Sequence, residues 1–434
     1  MERRPSRSVG TVAITGLCAL VVIAEGYDLI VFGTLIPSLL KEPGWGLTPS
    51  TAGTVGSLVY VGMLIGALLS GQLSDRFGRR RLVLASVAVF TVWTIGCIFA
   101  QSPEQLGAFR FLAGIGMGGV MPSILSLAKE SAPPHRTALV VTCTMAGVPA
   151  GGTAAALIGL AIIPTYGWRP MFAVGAVLSV LVAVAAYLWL PESSAYRSAQ
   201  RSPVATGGER QRSGLTALFQ QRWLSLTLLF GAAAFTNLLT WYGLNTWLTT
   251  LMRQLDYPLA SALQFSLTLN LAAILGSFVL AAAAGRWPSI VVALVGCLLT
   301  AIGLVGVTLG TSNAVVLLLW IALMGMGAHS ALNLINATVA DAYPLALRAT
   351  ALGWSNGVGR LGAVAAPQLG GWILAADLGP KAVFVAFLCS ALASAVVLGL
   401  LVRRTSPRRD GAAGTRATVP VAPVVQLLDG GSRS

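Results

Sequence analysis

Two acidic residues inside an apolar run have the types and spacing best suited to chemistry in this sequence. Glu25 and Asp28 stand three positions apart in the segment Glu-Gly-Tyr-Asp, within an apolar stretch that continues to about Leu40. Side chains three apart share a helix face, so the two carboxylates are predicted to be neighbours roughly 20 Å from the start of a helix. A charge at that depth is costly unless it faces a cavity or a partner. The pair suits the carriage of a proton, and the alternative is a structural ion pair that joins this helix to a neighbour.

One arginine is predicted to lie near the middle of another apolar run. Arg360 follows Arg348 by twelve residues, which is roughly 18 Å of helix. A guanidinium is always charged and binds a carboxylate through two parallel hydrogen bonds. Arg360 is therefore expected either to bind an anionic substrate, with Gly359 and Gly362 leaving room for a planar ligand, or to be the permanent partner of Glu25 or Asp28.

The composition indicates that membrane-spanning helices must position these residues. Of the 434 residues, 56% are apolar and 10% are charged, whereas soluble domains have about 25% charged residues. This composition excludes a soluble enzyme, a fibrous protein and a disordered chain. With about 20 apolar residues for each crossing, the length allows about twelve spans. The first apolar run is too long and too acidic for a removable signal peptide, so it is predicted to be the first span.

Twelve apolar runs follow one another along the chain. The predicted fold is an all-α membrane protein with twelve transmembrane helices in two pseudo-symmetric six-helix bundles. The spans are expected at about 11–39, 50–72, 81–101, 104–128, 137–163, 168–190, 223–251, 258–284, 288–310, 314–340, 349–375 and 379–402. The predicted regions are an N-terminal arm at 1–10, a first bundle at 11–190, a central loop at 191–222, a second bundle at 223–402 and a disordered tail at 403–434.

The positive charge is distributed unequally between the two sides that these spans define. The net charge is +14, and 22 of the 28 basic residues lie in the N-terminal arm, the tail and the connections on the same side. The other side has five basic residues. Cytoplasmic loops are enriched in Lys and Arg, so both termini are predicted to be cytoplasmic in a multi-pass protein of the cell (inner) membrane. Because the basic residues lie between apolar runs, no nucleic-acid partner is expected, and the lipid bilayer is the expected surroundings.

The two halves of the sequence repeat a pattern. In each half a Gly-x-Gly pair is followed by an acid sixteen residues after its first Gly, then by a Pro and an Arg. The pattern runs from Gly114 to Arg136 in the first half and from Gly325 to Arg348 in the second. It indicates duplication, and parallel repeats of six helices place a substrate site between the halves near the bilayer midplane.

The segment between the second and third spans has a less common pattern. It reads Gly-Gln-Leu-Ser-Asp-Arg-Phe-Gly-Arg-Arg-Arg from Gly71 to Arg81, which predicts a tight turn with a basic surface. The segment resembles the signature loop of the major facilitator superfamily, where it acts as a latch between the halves. The matching segment of the second half, at Gly285-Arg286, lacks the acid, so its role is undetermined. The predicted cytoplasmic gate consists of Gly71, Asp75, Arg76, Gly78, Arg79, Glu130, Arg136 and Arg348.

Within that superfamily, the sequence is similar to the aromatic acid:proton symporters (transporters of benzoate, hydroxybenzoate or gentisate). The similarity depends on the acid-Gly-aromatic-Asp segment, the run from Arg110 to Pro122 and the Gly-x-Gly-Arg-x-Gly segment at Gly357–Gly362. Two departures are Glu25, where the branch usually has Asp, and Thr249, where it usually has Pro. The resemblance implies import of a small aromatic carboxylate with protons, with Asp28, Glu25 and Arg110 as proton-coupling residues.

Several other side chains are candidates to contact an aromatic ring. The predicted substrate-binding residues are Arg360, Asp28, Trp354, Asn333 and His329, and Trp241, Tyr242 and Asn245 are weaker candidates. The alternative for His329 is a structural histidine, and the alternative for the aromatic residues is anchoring at the membrane interface.

Other functions remain open at this point. The run Gly147–Gly152 loosely resembles an antiporter signature, so a drug:proton antiporter stays an alternative, as does a symporter for a sugar or another organic anion. A membrane sensor or an intramembrane enzyme is disfavoured, because the sequence has no substantial soluble domain and no nucleophile with a visible base. There is no nucleotide-binding Gly-Lys-Ser loop and no zinc spacing, so no cofactor and no metal are expected. The chain is expected to act as a monomer.

Overall fold

The computed structural model describes residues 11–192, 214–311 and 313–405. Every regular element in these ranges is a helix. The first half contains α1 (Thr11–Leu39), α2 (Pro49–Phe77), α3 (Arg79–Ile98), α4 (Pro103–Ser131), α5 (Thr137–Met145), α6 (Gly147–Tyr166) and α7 (Arg169–Trp189), with a 3-10 turn at Pro134–Arg136. The second contains α8 (Leu215–Leu218), α9 (Leu224–Gln254), α10 (Leu259–Ala284), α11 (Ser289–Leu309), α12 (Ala314–Ala342), α13 (Leu345–Ala375) and α14 (Gly379–Thr405).

The predicted spans correspond to these helices. Eleven segments of the described chain are long and apolar enough to cross a membrane, with α5 and α6 counted as one span that bends near Ala146. The twelfth, α13, has 31 residues but is less apolar, since it includes Arg348, Asn356 and Arg360. The prediction of an all-helical membrane protein is confirmed. The predicted arm at 1–10 and the tail beyond Thr405 lie outside the described residues, as do residues 193–213 of the central loop.

Local sequence determines where several helices begin and end. The hydroxyl of Thr48 accepts a hydrogen bond from the backbone N–H of Thr51, and Pro49 follows as the first helical residue of α2. Ser102 caps α4 in the same way. Gly78 is the single residue between α2 and α3, with φ 91°, a backbone conformation that favours glycine.

The two halves pack their helices in the same way. In the first half α4 packs on α2 and α3, α1 packs on α6 and α7, and α3 packs on α7. In the second half α12 packs on α10 and α11, α9 packs on α13 and α14, and α11 packs on α14. These pairings are equivalent when each helix is matched with its counterpart in the other half, so the two six-helix bundles are pseudo-symmetric. Between the halves, α2 packs on α13, α6 on α10, and α1 on α9.

The two ends of the bundle differ in charge. One end, here called the basic face, holds the start of α1 and the ends of α2 and α14, with Arg79, Arg80, Arg81, Arg136, Arg348, Arg403 and Arg404. The other end, here called the opposite face, holds the α1–α2 connection and the start of α14. The predicted gate residues therefore lie at the basic face.

The halves meet closely toward the opposite face and separate toward the basic face. A Cβ added to Gly33 of α1 would lie 2.1 Å from the carbonyl oxygen of Asn245 in α9, and one added to Gly53 of α2 would lie 2.7 Å from that of Pro367 in α13. By contrast, Gly353 in the basic half of α13 would find no heavy atom within 4 Å of its Cβ. The halves are thus in backbone contact toward the opposite face, and α13 has open space beside Gly353 toward the basic face.

Candidate functional site between the two halves

Glu25 is a buried carboxylate without a hydrogen-bond partner. Its residue is 0% exposed, and within the described residues neither Oε1 nor Oε2 has a partner. The charged side chains near enough to act on it are Arg360 of the second half and Asp28. An unsatisfied buried carboxylate costs several kcal/mol unless it is protonated or matched by a cation or a ligand (about 2–7 kcal/mol even for a neutral polar group). Glu25 therefore needs either a bound proton or the positive charge of Arg360 to offset the cost of its burial.

Asp28 has a different environment in the same helix. Its Oδ1 accepts a hydrogen bond from the hydroxyl of Thr94 in α3 at 3.2 Å, and its backbone carbonyl accepts one from Nη1 of Arg110 at 3.4 Å. The Arg110 guanidinium lies 4.5 Å from the ring centre of Phe32. Among the described residues, Asp28 and Arg110 form no ion pair within 4 Å. The structure thus brings together the three predicted proton-coupling residues, and of the two carboxylates only that of Asp28 accepts a hydrogen bond.

The residues between these carboxylates fix the helix in place. Gly26 allows α1 to approach α6, since a Cβ there would lie 2.4 Å from the carbonyl oxygen of Val148. The hydroxyl of Tyr27 donates a hydrogen bond to the carbonyl of Met171 in α7 at 2.9 Å. The Glu-Gly-Tyr-Asp segment therefore contains two packing residues between two carboxylates, which explains its spacing.

Arg360 bridges the two halves. Its Nη1 donates to the backbone carbonyl of Met63 in α2 at 3.2 Å, and its other N–H groups have no protein partner in the described part of the chain. The guanidinium is half-buried between the halves. The prediction that Gly359 and Gly362 leave room for a ligand is wrong, because both pack α13 onto α9: a Cβ on Gly362 would lie 2.1 Å from the carbonyl oxygen of Phe235.

Two tyrosines complete the centre of the molecule. The rings of Tyr60 in α2 and Tyr242 in α9 lie 4.6 Å apart between their centres, across the interface between the halves. Arg360 and Glu25 are the charged groups that act on Tyr242. Glu25, Arg360, Tyr60 and Tyr242 are called the central cluster below. It offers a cation, a carboxylate and apolar ring surface at one level between the halves.

Of the other predicted substrate-binding residues, two lie on one face of α12. His329 and Asn333 are both half-buried and stand one turn apart. The imidazole of His329 packs on the indole of Trp241 with ring centres 4.9 Å apart. The Asn333 side chain has no hydrogen-bond partner among residues 11–192, 214–311 and 313–405. Contact of these two residues with a substrate stays a prediction.

The structure does not bring Trp354 to the central cluster. Its indole donates to the backbone carbonyl of Thr227 at 3.0 Å, and its ring packs on Phe219 with centres 5.0 Å apart. Both partners belong to the beginning of the second half, near the basic face. Its role in substrate binding stays a prediction.

The predicted gate residues lie at the basic face, and the ion pair shown among them lies within the first half. Arg79, the first residue of α3, pairs with Glu130 and also donates to the hydroxyl of Ser126, both in α4. The backbone N–H of Arg80 donates to Oε1 of Glu192 at 3.0 Å.

The remaining gate residues have different positions. Arg76 is exposed, Gly71 has open space beside it, and Asp75 lies in the last turn of α2, with its side chain outside the described part of the structure. Arg136 and Arg348 form no ion pair with any described residue. The gate function of the set stays a prediction.

Sequence reasoning missed the contacts between α2 and α13. The hydroxyl of Thr54 donates to Oε1 of Gln368 at 2.9 Å, and that of Ser57 donates to the carbonyl of Val364 at 2.7 Å. With the Arg360–Met63 bond, these form what is called the α2–α13 seam below. The spacing of these residues was the available signal. Thr54 and Ser57 are three apart in α2, and their partners Gln368 and Val364 are four apart in α13, so each pair lies on one helix face.

Comparisons with known proteins agree with this fold. Residues 18–315 and 270–431 match the profile of a family described as Major Facilitator Superfamily. The chain is 41% identical to the gentisate transporter of Corynebacterium glutamicum over 386 residues, which cover 88% of this chain and 85% of that protein. It is 32% identical to the benzoate transport protein of Acinetobacter baylyi, with 83% of each chain covered. It is 30% identical to a 4-hydroxybenzoate transporter of Pseudomonas putida, with 84% and 85% covered.

A solved structure shows the same fold. The crystal structure of a D-xylose-proton symporter matches with a TM-score of 0.71 at 17% identity and covers 89% of this chain and 97% of that one. The chain belongs to the Major Facilitator Superfamily, in the branch of aromatic acid transporters, and is a multi-pass membrane transporter rather than an enzyme.

Proposed function

We propose that this protein is a secondary active transporter that imports a small aromatic carboxylate together with protons by alternating access. Two neighbouring groups between the halves support this most. The guanidinium of Arg360 has N–H groups without a protein partner, and the buried carboxylate of Glu25 has no hydrogen-bond partner among the described residues. Three relatives are named for the transport of gentisate, benzoate and 4-hydroxybenzoate. Each of these compounds has one aromatic ring and one carboxylate.

Arg360 is the proposed site for the substrate carboxylate. A carboxylate that leaves water must be matched by a charge, and Arg360 can do so with two hydrogen bonds. The apolar ring would then lie against Tyr60 and Tyr242, which offer stacking surface in the central cluster. His329 and Asn333 are the proposed polar contacts farther along the ring, and Trp354 would contribute only after releasing Thr227.

Glu25 and Asp28 are the proposed proton site, with Arg110 holding the backbone beside Asp28. When Glu25 is ionised it competes with the substrate for Arg360, because both are anions near one cation. When Glu25 takes a proton its charge disappears and Arg360 can bind the substrate. A proton and an anion therefore enter together, which is the requirement for symport.

The proposed orientation places the basic face in the cytoplasm of a cell with this protein in its inner membrane. The excess of Lys and Arg at that face supports it. Because the backbones of the halves touch at the opposite face, the structure would then be the inward-facing state of a monomer, and the Arg79–Glu130 pair would belong to the cytoplasmic gate.

The test is uptake into proteoliposomes that contain the purified protein, with an acidic outside and a neutral inside. Radiolabelled benzoate, 4-hydroxybenzoate and 2,5-dihydroxybenzoate are compared with D-xylose and with a cationic dye. We expect accumulation of at least one aromatic acid that a protonophore abolishes, and no movement of xylose or dye. Xylose uptake, or expulsion of the dye without uptake of any acid, would contradict the proposal and support the sugar or drug alternative.

A further inference from the structure

The rings of Trp241 in α9 and His329 in α12 are in contact, and each has a nitrogen without a hydrogen-bond partner among the described residues. Trp241 is 2% exposed, and its Nε1 has no acceptor in the described part of the protein. Nε2 of His329, whose ring packs on that indole, has no partner there either. A buried donor or acceptor without a hydrogen bond costs about 1–3 kcal/mol, so two such atoms in rings that touch need an explanation.

The side-chain amide donors of three nearby asparagines are satisfied. The amide N–H groups of Asn237 and Asn245 reach the carbonyls of Ala328 and Trp241, at 3.2 Å and 3.0 Å. The amide of Asn270 reaches Oδ1 of Asn245 at 3.0 Å. The Trp241 N–H without a partner lies next to the half-buried His329, and Asn237 Oδ1 of α9 and Ser330 Oγ of α12 also lack partners among the described residues.

The two nitrogens have opposite requirements. The indole Nε1 can only donate. In the neutral imidazole of His329 one nitrogen donates and the other accepts, so Nε2 is an acceptor when Nδ1 carries the proton. A hydroxyl group satisfies both atoms at once, because it accepts from Nε1–H and donates to Nε2.

We propose that Trp241 and His329 bind a hydroxyl group on the aromatic ring of the substrate and thereby determine specificity for ring-hydroxylated acids. This inference rests on the proposed function, since it takes the substrate carboxylate to lie at Arg360. Trp241 packs in the same hydrophobic cluster as Tyr60 and Tyr242 of the central cluster, so the hydroxyl site lies near the proposed carboxylate site. A buried water is the competing occupant of the same position, because it also donates and accepts.

The experiment measures inhibition of benzoate uptake by benzoate itself and by each of the three monohydroxybenzoates, in proteoliposomes with wild-type protein, Trp241→Phe and His329→Phe. Each substitution keeps a ring and removes one hydrogen-bonding nitrogen. Trp372→Phe is the matched control, because Trp372 is an exposed indole of α13 at 61% exposure. We expect one hydroxybenzoate to bind wild-type protein at least about tenfold more tightly than benzoate, which is about 1.4 kcal/mol.

In both variants that preference should fall to within about threefold, because the ring hydroxyl loses one of its partners, whereas the Trp372→Phe control should keep the wild-type preference. Equal binding of benzoate and all hydroxybenzoates by the wild type, or a preference that survives both substitutions, would overturn the inference and leave the position to water. If wild-type protein does not take up benzoate or any hydroxybenzoate, the proposed function itself fails. The two failures are thus distinguished by the wild-type uptake of benzoate.

Discussion

The two ends of the inter-half interface are built from different interactions. Toward the opposite face the backbones touch through Gly33 and Gly53, and hydroxyl groups of α2 bond to α13. Toward the basic face Gly353 faces open space, and the ion pair between Arg79 and Glu130 stays inside one half. The closed end thus depends on close fit and short side chains, whereas the open end has long charged side chains that can change partners without repacking. Closure at the opposite face therefore requires one precise fit between the helices, whereas closure at the basic face can use different pairs of charged side chains.

The largest expected effect comes from removing the charge that lies between the two ends while both ends stay intact. Glu25→Gln keeps the volume of the side chain but cannot lose a proton. We expect proton-driven accumulation of the aromatic acid to fall to background, because ionised Glu25 no longer displaces the substrate from Arg360. Exchange of labelled for unlabelled acid should persist in the same vesicles, since it needs no net proton movement.

Thr94→Val is the companion variant for the neighbouring carboxylate. It removes the hydrogen bond to Asp28 but not the carboxylate. Accumulation should then remain and be reduced by a few fold. Undiminished accumulation in Glu25→Gln would contradict the assignment of the proton to Glu25.

The next effect breaks the close fit at the opposite face. In Gly33→Ala the added Cβ would meet the carbonyl oxygen of Asn245, so the halves cannot close there. Overpacking of this kind costs about 1–3 kcal/mol, and we expect uptake to fall at least about tenfold. The distance between spin labels on Lys41→Cys and Lys381→Cys, which are exposed in different halves at this face, should increase.

Gly399→Ala is the control for that substitution. Gly399 also lies in a helix, α14, but no heavy atom would lie within 4 Å of its Cβ. Uptake and the spin-label distance should match wild type in this variant. A Gly33→Ala protein with both quantities unchanged would show that the opposite face does not close as described.

A smaller effect is expected when one hydrogen bond of the α2–α13 seam is removed, and its size compares hydrogen bonding with close fit at the opposite face. Ser57→Ala loses the bond to the carbonyl of Val364 and creates no clash. A hydrogen bond of this kind contributes about 1 kcal/mol, which is about fivefold in the balance between closed and open states. The fraction of molecules with the longer spin-label distance should rise by about that factor. A larger shift than that of Gly33→Ala would mean that hydrogen bonds, not close fit, hold the opposite face.

The smallest effect concerns contacts within one half at the opposite face. Glu42, in the α1–α2 connection, accepts hydrogen bonds from Arg169 Nη1 at 2.7 Å and Trp168 Nε1 at 2.9 Å. Burial acts to raise the pKa of Glu42, but those hydrogen bonds and the charge of Arg169 outweigh it and hold the pKa below its usual value. The stabilisation is therefore present above the usual pKa of about 4.3 and is lost as the pH falls through the lower value in the folded protein.

Glu42→Gln tests this pH dependence. The pair is partly exposed, so the loss should be no more than about 1 kcal/mol. We expect the variant to unfold at a slightly lower temperature than wild type at pH 7 in detergent and at the same temperature near pH 3, with uptake unchanged. A difference that grows as the pH falls would contradict the assigned direction.

The sequence predicted the elements well because apolar length and charge placement are local. It located Glu25, Asp28, Arg110 and Arg360, since charged residues are conspicuous inside apolar runs. It misjudged Gly359 and Gly362, because a glycine that admits a ligand and one that admits a helix look the same in one sequence.

The α2–α13 seam was missed for a related reason. The pairing of Ser57 with Val364 joins residues far apart in the chain, and only the packed structure selects that partner. The contact of Trp354 with Thr227 is likewise set by how α13 packs on α9. Chemistry was thus predictable from residue type, whereas pairing depended on the fold.

The most direct test of the central claim, that Arg360 binds the substrate carboxylate, compares an acid with its uncharged amide. Inhibition of labelled benzoate uptake by unlabelled benzoate and by benzamide is measured for wild type, Arg360→Lys and Arg360→Ala. We expect benzamide to compete at least about tenfold more weakly than benzoate in wild type, because a hydrogen-bonded charge is lost. Arg360→Lys should weaken uptake strongly because it loses the two-pronged geometry, and Arg360→Ala should abolish uptake in a protein that is still folded in the membrane. Equal competition by the amide, or benzoate uptake by Arg360→Ala, would contradict the account.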